Sequence, residues 1–229
     1  MFFFHFDPLY LVLMLVIMVI SGGVQLYLQS TFRKWSKVRN ASGLNGLSVG
    51  QQLFARTSLT TIPLQRVSGT LTDHYDPGNN VVRLSEPIAN QPSVAAMAVT
   101  AHELGHVQQY QAGSALIGMR SFLLPAIQFS PTISYFAIFM GLIFNLTGLI
   151  WIGILFFSAM VLFSILTLPV EFDASRRGMQ LLREANLLES EQDARGAQQM
   201  LTAAGLTYLA AAVTSVLQLL YLVSLARRS

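Results

Sequence analysis

Apolar and polar positions sort this chain into blocks before any single residue is considered. Leu9 to Leu28 is apolar except for Ser21 and Gln25, long enough to cross a hydrocarbon layer of about 30 Å. Ser121 to Leu168 carries no charged residue. As one helix it would extend about 70 Å, more than twice what a bilayer needs, so it predicts two spans, about 121–144 and 148–168. The break falls near Asn145-Leu146-Thr147-Gly148, with Pro125 and Pro131 kinking the first of the two. Leu206 to Leu225 makes a fourth span after about 9–28, 121–144 and 148–168. The pattern predicts a single integral-membrane domain over 1–229, with polar segments at 29–120 and 169–205.

The first polar segment has its own periodicities. Ser48 with Gln51 predicts a capped short helix through Ala55. Ile62–Thr72 and Val81–Ser85 read as extended strands around a turn at Asp76-Pro77-Gly78-Asn79-Asn80. Ser93–Gly113 reads as a helix, with Pro92 and Ser93 suiting its start and Gly113 its end. The expected fold is a mainly α membrane protein with about four transmembrane helices and a small cytosol-facing α+β subdomain.

Composition agrees with a membrane chain: 53% of residues are hydrophobic, 11% are charged, and mean hydropathy is +0.52. The start, Met1-Phe2-Phe3-Phe4-His5-Phe6-Asp7, has no Lys or Arg, which favours an anchor over a cleaved signal. Arg33, Lys34, Lys37 and Arg39 follow the first span; Arg120 precedes the second; Arg176 and Arg177 follow the third; Arg195 precedes the fourth. The excess of positive charge places those loops in the cytoplasm. Arg227-Arg228 is the misfit, because four spans put it outside: either those charges are outvoted, or the last helix is re-entrant or interfacial. These juxtamembrane charges account for the pI near 9.4 without nucleic acid as a partner. The lipid bilayer is the partner they imply, and nothing in the pattern specifies an oligomer. Cysteine is absent, so disulfides and thiolate zinc sites are excluded.

His102-Glu103-Leu104-Gly105-His106 lies within the Ser93–Gly113 helix. Residues four apart share a helix face, so His102 and His106 can grip one metal ion with Glu103 beside it as a base. The chain has only four histidines, so this pair is not a by-product of richness. Two imidazoles suit zinc, and a catalytic site needs a third ligand and an open position. Topology points to Glu171: two spans separate it from the metal helix, which returns it to the same side of the membrane. Asp173 competes for that place, and an interfacial acid paired with Arg176 and Arg177 is the bland alternative.

Three separated stretches then carry a resemblance: Thr72–Pro87, Ala101–Gln108, and Leu168-Pro169-Val170-Glu171-Phe172-Asp173-Ala174-Ser175. Together they resemble the YugP-like family of bacterial membrane neutral zinc metallopeptidases over nearly the whole chain. More distantly they are similar to the HtpX and CAAX prenyl protease group, which has E-x-x-A-D after H-E-x-x-H. That pattern implies Glu171 as third ligand and Ala174 as its small residue. Ser175 stands where the group has an Asp that orients a ligand histidine, with Asp173 as the alternative for that task. The resemblance implies a multi-pass protein of the bacterial plasma membrane with its site facing the cytoplasm. It implies a zinc endopeptidase, one Zn2+ per chain, held by His102, His106 and Glu171 with Glu103 as general base.

His74 and Tyr75 are candidates for the oxyanion donor, or else stabilise the turn. Val81, Val82, Arg83, Leu84 and Ser85 form an edge strand for substrate, or else a structural hairpin. The expected substrate is a peptide or protein, with a membrane protein, a misfolded protein, a small peptide and a lipid-modified peptide all left open by the sequence. The alternative function is a non-catalytic zinc-binding membrane chaperone or adaptor, which would have no use for Glu103.

Overall fold

The computed structural model describes residues 7–228, so Met1 to Phe6, most of the uncharged start, lie outside the described residues. Seven helices and a three-stranded sheet follow in the order α1 (Pro8–Trp35), α2 (Gly46–Arg56), β1 (Leu64–Val67), β2 (His74–Asp76), β3 (Val81–Ser85), α3 (Glu86–Asn90), α4 (Val94–Gln111), α5 (Ala115–Ile143), α6 (Thr147–Glu184) and α7 (Glu191–Ala226). They form two compact units: residues 1–25, 118–168 and 207–229 make the first, and residues 26–117 and 169–206 the second.

The first unit is built from apolar helices. Three helices (α1, α6 and α7) are long and apolar enough to cross a membrane, or four if the bent pair Ile117–Leu124 and Ile127–Ile143 is one span. Those two pieces of α5 meet at 50°, around Pro125, whose missing N–H cannot join the helical ladder. The turn from α5 to α6 uses Asn145 in the left-handed region (φ 52°), a conformation that Asn tolerates better than most side chains. At one end of this unit Asp7 lies 3.7 Å from the Arg228 guanidinium and accepts from the Tyr221 hydroxyl at 3.3 Å. The two described ends of the chain therefore meet, and Arg228 has an acidic neighbour there.

The second unit has a dry core in which Leu53, Leu84, Ile88, Met97, Leu104, Leu182 and Met200 are nearly inaccessible. Burying each such side chain contributes about 1.5–3 kcal/mol. α4 runs through it with 13 of its 18 residues buried, so its apolar side chains are not confined to one stripe. Ser93 caps its start by accepting from the Ala96 N–H at 3.1 Å. For α2 the cap is Asn45, which accepts from the Ser48 N–H at 2.9 Å, and not Ser48 as the sequence suggested.

The sheet departs from a simple hairpin. Its order is β1-β3-β2, with β1 parallel and β2 antiparallel to β3. The extended segment expected over Ile62–Thr72 is a strand only at Leu64–Val67, because Gly69 and Leu71 take positive φ just after it. Leu64 to Val67 register with Val82 to Ser85, and His74, Tyr75 and Asp76 with Arg83, Val82 and Val81. Val81–Ser85 is thus the central strand, with its backbone engaged on both sides. The expectation of an edge strand offered to substrate is corrected on that ground: β1 and β2 are the edges.

Candidate metal centre

Two helices build the site, and their close approach is written in glycine. A Cβ on Gly105 of α4 would stand 2.2 Å from the Ala174 carbonyl oxygen of α6. One on Gly178 would stand 2.7 Å from the Ala101 carbonyl oxygen. Neither distance is physically allowed, so only glycine lets α4 and α6 come together here. Ala101 and Ala174 keep the rest of the seam thin.

This approach brings Glu171 to both imidazoles. Its Oε2 lies 3.4 Å from His102 Nε2 and 3.4 Å from His106 Nε2. The two rings are 4.8 Å apart and nearly perpendicular. Glu171 retains 2% exposure and the two histidine side chains 13% and 11%. Glu171 lies on α6, which runs from Thr147 to Glu184, two residues past Pro169.

The donor set fits zinc. With zinc–ligand bonds of about 2.0–2.1 Å, adjacent corners of a tetrahedron stand about 3.4 Å apart, which is the spacing from Glu171 to each imidazole. His102, His106 and Glu171 offer ligand atoms all within 4.8 Å of one another.

Electrostatics point the same way. Burial alone pushes the Glu171 carboxyl up, but hydrogen bonding to His102 and His106 outweighs it and holds the group well below the usual carboxylate range. Burial works downward on His106, whereas Glu171 and the Glu103 charge raise it above the ordinary imidazole value. The cluster attracts positive charge. A divalent cation would supply that charge and release the proton, leaving neutral imidazoles as ligands.

The remote nitrogens of both rings are also held. Gln109 donates through Nε2 to the Val170 carbonyl at 2.8 Å and to Asp173 Oδ2 at 2.9 Å. Both are acceptors only, which fixes the orientation of the amide. Its Oε1 therefore faces His106 Nδ1 at 3.1 Å and requires a proton there, leaving Nε2 free as a ligand. His102 Nδ1 lies 3.2 Å from Ser175 Oγ, so Ser175 contacts that imidazole directly. Asp173 is turned away from the cluster toward Gln109, Arg176 and Arg177, the last at 2.6 Å. Its carboxyl sits below the ordinary range: burial raises it, and those partners overcome the rise.

Glu103, 7% exposed, accepts from the Tyr75 backbone N–H through Oε2 at 2.9 Å. β2 is in turn anchored by Asp73, which accepts from the Ser85 N–H at 2.7 Å and the Ser85 hydroxyl at 2.9 Å. Desolvation pushes the Asp73 carboxyl up, in part against those two bonds. The His74 ring is occupied by the Thr72 carbonyl at 2.8 Å, and the Tyr75 phenol donates to Asn80 at 3.0 Å. Both contacts lie within residues 72–80. Sequence reasoning missed Gln109, Asp73 and the Tyr75 amide. Gln109 had a signal, a polar residue three positions after His106 on the same helix face.

Residues 10–227 match the family described as "Putative neutral zinc metallopeptidase". A relative in Bacillus subtilis (strain 168), "Putative membrane protease YugP", is 36% identical over 212 residues, covering 93% of this chain and 94% of that protein. No solved structure matches.

Proposed function

This chain belongs to the neutral zinc metallopeptidase family, and from that premise we propose that it is a membrane endopeptidase with one zinc per chain. His102, His106 and Glu171 are the ligands and Glu103 is the general base. The observation that carries this reading is the spacing of 3.4 Å from Glu171 to both imidazoles, which matches two edges of a zinc tetrahedron.

When bound, zinc lowers the pKa of the attacking water and polarises the scissile carbonyl. Everything else falls to the protein. The Tyr75 N–H fixes one oxygen of Glu103, leaving Oε1 to accept the water proton and return it to the leaving amine. Gln109 and Ser175 hold the ligand rings in orientation, and for Gln109 that service is worth about 10–100-fold in metal affinity.

The peptidase acts from a bacterial plasma membrane with four spans and the second unit in the cytoplasm. The basic residues of 33–39 support that orientation. The meeting of Asp7 with Arg228 supports an even number of crossings, and gives Arg228 a counter-charge on the outer side. A reporter fused at Ser85 is expected to behave as cytoplasmic; a periplasmic result overturns the orientation.

The function is tested by comparing detergent-purified wild type with Glu103→Gln for bound zinc and for cleavage of unfolded casein. Zinc in both proteins with cleavage by wild type alone is the expected result. Equal cleavage by both would remove Glu103 from its role.

A further inference from the structure

α4 carries Glu103 and, two turns further on, an exposed aromatic ring. Glu103 and Tyr110 are seven residues apart on this helix, so they share one face at a spacing of about 10 Å. Tyr75 of β2 touches that face twice. Its N–H meets Glu103 Oε2 at 2.9 Å, and its ring meets the Tyr110 ring edge-on with centroids 5.8 Å apart, a favoured aromatic geometry. One residue thus fixes the ring pair relative to the base. All three residues belong to the second unit.

Exposure sets this pair apart. Among the described residues of the second unit, the large apolar side chains left exposed are Leu26, Tyr27, Leu71, Tyr110 and Phe172. Leu26 and Tyr27 belong to the apolar stretch 9–28, and Phe172 closely follows the one that ends at Leu168. That leaves Leu71 and Tyr110, at 38% and 46% exposure. Leu71 leads into β2 and Tyr110 lies in the last turn of α4, so both sit on the two elements that meet at Glu103. Leu71 is also held at φ 58°, a conformation rare for leucine, and such backbone outliers cluster at functional sites. The Tyr75 phenol is spent on Asn80 at 3.0 Å, so this ring offers carbon surface to a neighbour. An extended peptide advances about 3.3–3.6 Å per residue. A chain cut beside Glu103 therefore brings a side chain within two residues of the cut to the ring pair.

We infer that Tyr75 and Tyr110 form a subsite for a large apolar side chain of the substrate, so that apolar peptide segments are the class selected. For the cut this deepens the peptidase reading and rests on it; for binding it does not.

The test separates the two. Soluble Ala- and Ser-based peptides carrying one Phe, Leu, Arg or Ala at a single position are offered to the full-length protein in detergent. Binding is read by fluorescence anisotropy on Glu103→Gln protein, and cleavage by wild type is read as kcat/KM with the cut located by mass spectrometry. Phe and Leu peptides are expected to bind and to be cut about 10-fold better than the Ala peptide, at one fixed offset within two residues of the variable position. Tyr110→Ala should shrink that preference to about 2-fold or less, and Tyr110→Phe should restore it, with zinc content unchanged in both. Should Tyr110→Ala lose zinc, Tyr110→Gln is read instead, with the same collapse expected. Equal performance of all four peptides, or an unchanged preference in Tyr110→Ala, overturns the inference. So does an equal fall for every peptide, which marks a merely structural ring, or a preference for the Arg peptide, which marks a cation site. Apolar preference in binding with no cleavage of any peptide by wild type would defeat the peptidase reading and leave the subsite standing. Cleavage without preference would do the reverse.

Discussion

The two units place their large apolar side chains in opposite ways. In the second unit, large side chains such as Leu53, Leu84 and Leu182 are turned in and nearly inaccessible. In the first, Phe122, Phe129, Phe136 and Leu155 are turned out, each at least 65% exposed. One is an interior sealed from water; the other is a surface made for lipid. Polar groups follow the same division. In the second unit they are tied into a network through Gln109, Asp173, Ser175 and Tyr75, whereas in the first Thr214 and Ser215 donate to carbonyls of their own helix. A metal centre belongs to the unit whose interior can hold geometry against solvent.

Glycine offers the sharpest way to break this comparison. Gly105→Ala should force α4 from α6, costing about 2–3 kcal/mol and zinc binding together, read by thermal unfolding and metal content. Gly22→Ala, where an added Cβ meets nothing within 4 Å, should be neutral or stabilising by up to about 1 kcal/mol. Equal damage at both positions would erase the distinction between the units.

Gln109→Ala comes next. It frees His106 Nδ1 and unties Val170 and Asp173, so zinc affinity should fall about 10–100-fold with the fold retained, measured by competition with a chelator. Ser175→Ala removes a single longer contact to His102 and should lower affinity by less than about 10-fold in the same assay.

The smallest effect concerns the hairpin. Hydrogen bonds from Asn79, then Arg83, hold the partly exposed Asp76 carboxyl well below its ordinary range. Its folded pKa is thus depressed, so the contribution is present above about pH 4, the unfolded value, and fades as pH falls below that. Exchange protection of the Val82 amide should follow this course and lose its pH dependence in Asp76→Asn.

How much was legible in the sequence followed the range of the interactions. The four-residue spacing of His102 and His106 is a local property of a helix, and so is the break of the apolar block at Asn145. Glu171 came within reach through the parity of two spans, which is topology rather than contact. The sheet order was not legible: β1 pairs with β3 across the whole of β2, and strand propensity says nothing of which neighbour wins. The Tyr75 amide was invisible for another reason, since every residue but proline has that N–H and only the placement of β2 against α4 gives it a use. Asp73 reads in sequence as one more turn acid. Only burial beside Ser85 sets it apart.

The central claim is that one zinc joins α4 to α6 through His102, His106 and Glu171. It is met most directly by zinc K-edge absorption, with metal content, on wild type and Glu171→Ala. Two imidazole nitrogens and oxygen at about 2.0–2.2 Å in wild type, with zinc falling to trace levels in the variant, is the predicted result. Full zinc content in Glu171→Ala, with an unchanged ligand shell, would contradict it.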